Sequence, residues 1–126
     1  MIKYEVRVYD YGSKEWYLND KRHREDGPAI EFTNGYKAWY LNDKRHREDG
    51  PAMEYANGDK FWCLNDRLHR EDGPAIEWAS GDKYWYLNGE YLTEAEHKAK
   101  TNPTVEMTME EICKTLGKNV KVKQND

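Results

Sequence analysis

The sequence predicts a mainly β protein: an antiparallel β-meander of 23-residue hairpin repeats, closed by a short C-terminal α-helical cap. Residues 17–31 (YLNDKRHREDGPAIE) and 40–54 (YLNDKRHREDGPAME) agree at 14 of 15 positions, and residues 63–77 (CLNDRLHREDGPAIE) differ from the first copy at three. Each unit is too short for a pair of helices and carries the turn residues of strands. Beyond residue 92 the pattern stops and helical spacing begins.

The register of the repeat is strict. Trp16, Trp39, Trp62 and Trp85 stand 23 apart, as do His23, His46 and His69, and as do Gly12, Gly35, Gly58 and Gly81. A fourth copy begins at Gly81 and departs after Asn88, where Gly89-Glu-Tyr-Leu-Thr replaces HREDGPA. Terminal repeats commonly depart in this way, having a neighbour on one side only. The repeat sheet therefore spans 1–92, opened by an alternating strand at residues 2–8, and the cap spans 93–126.

Within a unit, Asn34-Gly35 and Asn57-Gly58 are hairpin-turn dipeptides, both positions of which tolerate positive φ. Asp26-Gly27-Pro28 and its copies at Asp49 and Asp72 make a second break, because proline cannot donate to a ladder. Between breaks the residues alternate, so Ile30/Phe32 with Trp39/Leu41 and their copies are expected to form one apolar face. The reverse face is expected to carry Ala29, Glu31 and their copies, with the row Tyr17, Tyr40, Cys63 and Tyr86. In the tail, Thr93 with Glu96 and Thr108 with Glu111 fit capping boxes. Met109, Ile112, Cys113 and Leu116 share one face of a short helix, Gly117 suits its end, and Val120 and Val122 suggest a last short strand. A one-sided apolar sheet needs cover, and this helix is expected to provide it.

Composition narrows the function. Charged residues make up 35% of the 126-residue chain, yet the net charge is only −4. That balance argues against a nucleic-acid binder working on phosphates and against attraction to an anionic membrane. No apolar run is long enough to span a bilayer and no signal-peptide pattern stands at the N-terminus, so a cytoplasmic location is expected. Cys63 and Cys113 form no spaced framework and are read as free thiols.

The most chemical-looking residues are His23-Arg24-Glu25-Asp26 and the copies that start at His46 and His69. A shared metal is not expected: in an open sheet, equivalent residues two strands apart stand roughly 10 Å from one another, whereas zinc–nitrogen bonds need about 2.0–2.1 Å. Catalysis is not expected either, because repetition gives copies similar surroundings, whereas acid–base work needs neighbours with different pKa values. No catalytic residue, metal or cofactor is therefore assigned. The candidate binding residues are Arg24, Arg47 and Arg70, with His23, His46, His69, Tyr17, Tyr40 and Tyr86. Trp16, Trp39, Trp62 and Trp85 are read as a structural aromatic row.

At Trp39-Tyr-Leu-Asn-Asp-Lys-Arg-His and the following Gly-Pro-Ala-x-Glu-x-x-Asn-Gly, the unit resembles the MORN repeat over roughly residues 11–90. It departs from that family in placing Arg24, Arg47 and Arg70 after the histidine. In this it is more similar to the divergent LHREDGPA-type repeats of bacterial and phage proteins. The resemblance implies an elongated sheet used for scaffolding or protein binding, and a phage origin would imply an inhibitor of a host defence protein or toxin in the host cytoplasm. Two other functions are weighed beside this one: sequestering a small anionic ligand such as a nucleotide with the arginine rows, and homo-oligomerisation through the apolar face or an open sheet edge.

Overall fold

Left-handed backbone is uncommon outside glycine, although Asn and Asp tolerate it better than other residues. Both members of each Asn-Asp pair adopt it here: Asn19 and Asp20 at φ 52° and 62°, Asn42 and Asp43 at 50° and 66°, Asn65 and Asp66 at 47° and 69°. Two consecutive left-handed residues make a type I′ turn, whose twist matches that of a β-hairpin. The computed structural model, which describes residues 3–102 and 108–116, builds its repeats around these turns.

The strands are β1 (Glu5–Val8), β2 (Lys14–Leu18), β3 (Lys21–Arg22), β4 (Ile30–Glu31), β5 (Lys37–Ala38), β6 (Tyr40–Leu41) and β7 (Lys44–Arg45). They continue as β8 (Met53–Glu54), β9 (Lys60–Phe61), β10 (Cys63–Leu64), β11 (Arg67–Leu68), β12 (Ile76–Glu77), β13 (Lys83–Leu87) and β14 (Glu90–Leu92). Helices α1 (Glu94–Thr101) and α2 (Met109–Leu116) follow. One antiparallel strip runs β1-β2-β4-β5-β8-β9-β12-β13-β14. Beside it lie β3, paired to β2, and the hairpins β6–β7 and β10–β11. The fold is the expected antiparallel meander, with both strands of the second and third repeats broken near the middle, while β2 of the first, paired to β1, runs through Trp16.

The break lies at the tryptophan. Trp39 N–H donates to Ala52 O at 2.8 Å, and Trp39 O accepts from His46 N at 3.0 Å. One residue thus faces both ends of an excursion, Arg47 to Pro51, that leaves the sheet. Trp16 brackets His23 and Ala29 in the same way, and Trp62 brackets His69 and Ala75. In the fourth copy Leu92 stands where the histidine would be and pairs with Trp85, so β13 runs unbroken.

The sides of the sheet differ from expectation. A turn left-handed at both Asn34 and Gly35 would set Ile30 across from Trp39. Only Gly35 is left-handed (φ 97°), and the loop closes through Gly35 N–H to Phe32 O (3.0 Å) and Phe32 N–H to Tyr36 O (2.9 Å). The extra loop residue sets Ile30 opposite Ala38 and Glu31 opposite Lys37. Since a one-residue slip exchanges the two faces, Ile30 and Phe32 lie with Tyr36, Ala38 and Tyr40, while Trp39 and Leu41 lie on the other side with Glu31 and Lys37. The single apolar face expected for Ile30, Phe32, Trp39 and Leu41 is therefore divided between two.

On the first side, the line Ile30, Ala38, Met53, Phe61, Ile76 crosses the strands in register. Ile30, Ala38, Met53 and Cys63 are buried there, and Phe32, Tyr36, Tyr40, Phe61 and Leu68 pack around them. Phe32, Tyr36, Tyr55, Phe61 and Trp78 form a continuous ring ladder with successive centroids 4.8–5.7 Å apart. On the second side, Lys14, Glu31, Lys37, Glu54, Lys60, Glu77 and Lys83 alternate in sign across the same register. Opposite charges facing one another favour this register over a slipped one.

After β14, Thr93 opens α1 with a complete capping box with Glu96. The helix packs on β13 and β14 and buries His97, whose Nε2 lies 2.6 Å from Arg70 O. Thr108 Oγ1 accepts from Glu111 N at the start of α2. The glycine end expected at Gly117 and the last strand through Val120 and Val122 lie outside the described residues.

Two glycines separate strain from crowding. A methyl group at Gly35 would meet Ala56 Cβ at 2.8 Å, whereas at Gly81 (φ 99°) it meets nothing within 4 Å. Gly81→Ala is expected to cost about 1–2 kcal/mol from left-handed strain alone, and Gly35→Ala to cost more, as measured by urea unfolding. Burial pushes the Tyr36 hydroxyl up to about 12, from an ordinary value of 10. Its contribution to stability is intact below pH 10 and is lost as the pH rises toward 12. Tyr36→Phe should remove the latest step in an alkaline tyrosinate titration.

Candidate functional site

Successive repeats are joined at the Asn-Asp turns. Asp43 N–H donates to Arg22 O at 2.9 Å, Asp43 Oδ1 accepts from Arg22 N at 2.8 Å, and Asn42 N–H donates to His23 Nδ1 at 3.0 Å. The next joint repeats this with Asp66 on Arg45 and with Asn65 N–H on His46 Nδ1 (3.0 Å); Asn88 N–H reaches His69 Nδ1 at 2.9 Å. The histidine row is thus a row of backbone acceptors between repeats. An acceptor at Nδ1 requires the proton on Nε2, which lies 3.5 Å from a carboxylate oxygen of Glu25 in the first copy and of Glu48 in the second. At the second joint, the Arg45 guanidinium bound to the Asp66 side chain holds that carboxyl below its ordinary value.

The arginine row is held inside its own excursions. Arg47 lies 3.8 Å over the Trp39 ring and donates to Asp49 Oδ1 (3.0 Å), Pro51 O (3.1 Å) and Glu54 Oε1 (3.4 Å). Arg24 on Trp16 and Arg70 on Trp62, both at 3.9 Å, repeat these contacts. The planar fork of arginine supplies stacking and directed donors together, which a lysine ammonium cannot. Gly50 completes the enclosure: a Cβ there would come within 2.8 Å of the Arg47 guanidinium carbon. The ion pair to Arg70 likewise holds the Asp72 carboxyl below its ordinary value.

Charge is consequently sorted by depth. The arginine side chains are 20–21% exposed, whereas Asp26, Asp49 and Asp72 are 86–88% exposed and Glu25, Glu48 and Glu71 are 71–83% exposed. Between neighbouring excursions lie two equivalent clefts of about 720 and 680 Å³. The first has Trp39 and Leu41 at its base and Glu25, Asp26, Glu48 and Asp49 on its walls. The second has Trp62 and Leu64 at its base, with Glu48, Asp49, Glu71 and Asp72 on its walls. Each also has two arginines and a histidine in its lining. With the guanidinium groups paired inside their excursions, what faces solvent most is the four carboxylates, beside a leucine and the indole edge, a setting suited to an aliphatic stem ending in a cation.

Of the candidate binding residues, the structure brings the arginine and histidine rows to these clefts. It does not bring the tyrosines there. Tyr17 pairs with Arg22 and Tyr40 with Arg45, which places them on the opposite side of the sheet, with Cys63 and Tyr86. Cys63 is a buried free cysteine, and burial pushes its thiol up, away from the reactive thiolate. The four tryptophans are half-buried, three of them beneath an arginine. The sequence places Leu41 and Leu64 in an apolar face and the rim glutamates in the His-Arg-Glu-Asp row, and marks neither as binding residues. Two adjacent acids at the apex of a proline-ended excursion were the available signal for the latter.

Among the described residues, no group of three or more His, Cys, Asp or Glu is placed to hold a metal ion, and no helix is long and apolar enough to cross a membrane. Comparison with known proteins gives no match to a family model, to a curated protein or to a solved structure.

The joints and the enclosures can be tested separately. Replacing His46 by Leu removes the acceptor for Asn65 N–H and is expected to cost about 1 kcal/mol; His46→Asn, which keeps an acceptor near that position, should recover part of it in urea unfolding. A double-mutant cycle on Arg47→Met and Trp39→Leu should give a coupling of about 0.5–2 kcal/mol.

Proposed function

We propose that this protein is a non-enzymatic, MORN-like repeat module of the cytoplasm that binds another protein, by receiving the Lys or Arg side chains of an extended basic segment in the clefts between its excursions. The observation that carries the proposal is the repetition of one cleft chemistry at a 23-residue interval: a tryptophan and a leucine, two arginines already paired within their own excursions, a histidine, and four exposed carboxylates. Such repetition suits a partner that is itself extended, because each cleft can take a side chain from a different point along it. Electrostatic complementarity would set partner choice and association rate more than raw affinity. Occupying a basic stretch of the partner is how such a module would act as an inhibitor or scaffold.

The depth sorting of charge favours a cationic over an anionic ligand. Each arginine guanidinium is engaged with its own repeat, and a nucleotide approaching the row would meet carboxylates first.

Titration with a synthetic Lys- and Arg-rich peptide, followed by calorimetry, tests this reading. Binding should weaken as salt rises. The combined change Glu25→Gln, Glu48→Gln and Glu71→Gln should weaken it by about tenfold, near 1.4 kcal/mol. Equal affinity in the wild type and this variant, or a thermal shift with nucleotides and none with the peptide, would overturn it.

A further inference from the structure

We infer that β1 is a self-complementary edge through which two copies of this chain pair head to head, joining their sheets into one. Among the described residues, β1 pairs with β2 alone, and all four of its residues are exposed. The direction of its outward groups follows from β2. Trp16 N and O bond away from β1, to Ala29 O and His23 N, so Val6 and Trp16 face each other without exchanging hydrogen bonds. In antiparallel sheet such pairs alternate with bonded ones; Tyr9 N–H donates inward to Ser13 O at 2.9 Å. The backbone groups of Tyr4, Val6 and Val8 therefore point outward.

A second β1 laid antiparallel and centred on Val6 meets all three. Val6 pairs with its own copy, Tyr4 with Val8 of the other chain, and Glu5 with Arg7 of the other chain, twice over by symmetry. Like residues meet on one side, where Tyr4, Val6 and Val8 are 39%, 43% and 63% exposed. Opposite charges meet on the other, where Glu5 and Arg7 are exposed, pair with each other within the strand at 2.8 Å, and would be shared with the same pair of the second copy; Arg7 also lies 4.0 Å over the Tyr17 ring. A shift of one residue in this register would oppose Val6 with Arg7 and lose both the charge pairing and the apolar pairing. A two-fold interface of this kind closes on itself and stops at the dimer. At the other end of the strip, β14 turns at Thr93 directly into α1.

Size-exclusion chromatography with light scattering reads the outcome, with circular dichroism to confirm that each variant is folded. The wild type should show twice the chain mass. Arg7→Glu and Glu5→Arg should each be monomeric, because each places like charges across the two-fold axis. An equimolar mixture of the two, and separately the charge-swapped double variant, should recover the dimer. A wild type that stays at one chain mass at its highest soluble concentration would overturn the inference, as would an Arg7→Glu variant that remains dimeric.

Discussion

Three hydrogen bonds at a left-handed Asn-Asp turn hold the second repeat to the first and the third to the second, and the fourth, with Gly89 in place of the aspartate, keeps two of them. Strands of two residues have no independent stability, and β6, β7, β10 and β11 are of that length. They persist because the turn between them is bound from outside: Asp43 grips the backbone of Arg22 through its own N–H and its carboxylate, and Asn42 donates to His23. The turn and its neighbour's acceptors thus reinforce one another, while Asn19-Asp20 takes the same conformation with no repeat before it. A turn without the preceding repeat would lack partners for its N–H groups, and a repeat without the next turn would leave an imidazole nitrogen and a carbonyl unmet.

The second side of the sheet follows from these joints. With β6 and β7 fixed beside β3, the chain must cross from His46 to Ala52 while remaining bonded to Trp39 at both ends, and the intervening residues can only rise out of the plane. Raised over an indole ring, Arg47 finds a stacking surface below and the oxygens of Asp49, Pro51 and Glu54 around it. Each excursion is thereby stiffened from within, and the acids left at its apex face solvent. A chain of small net charge acquires in this way a row of strongly negative rims, a property of its fold that overall composition conceals.

Much of this architecture was legible in the sequence. The 23-residue period, the hairpins, the breaks at Asp-Gly-Pro and the caps at Thr93 and Thr108 rest on local chemistry, and each appears in the structure. The sidedness did not follow, because it depends on whether the loop at Asn34-Gly35 contains two residues or three, and an Asn-Gly pair serves both kinds. One loop residue moved Ile30 and Phe32 away from Trp39. The Asn42-Asp43 pair, which the sequence offers only within the stretch Trp39 to His46 that resembles the MORN repeat, is the two-residue turn. The clefts were less accessible still, since they lie between excursions distant in sequence, and the burial of Arg47 depends on the close approach permitted by Gly50.

The fourth copy illustrates a further property of the joint. It donates to His69 through Asn88, as the second and third copies donate to their predecessors, yet it presents Leu92 where the acceptor imidazole would stand. In the language of polymer growth it is a chain-terminating monomer, competent to be added and incompetent to be extended. The number of internal units is therefore set independently of both ends, and the molecule could lengthen by whole units of 23 residues, gaining one cleft each time, with no new chemistry at either terminus.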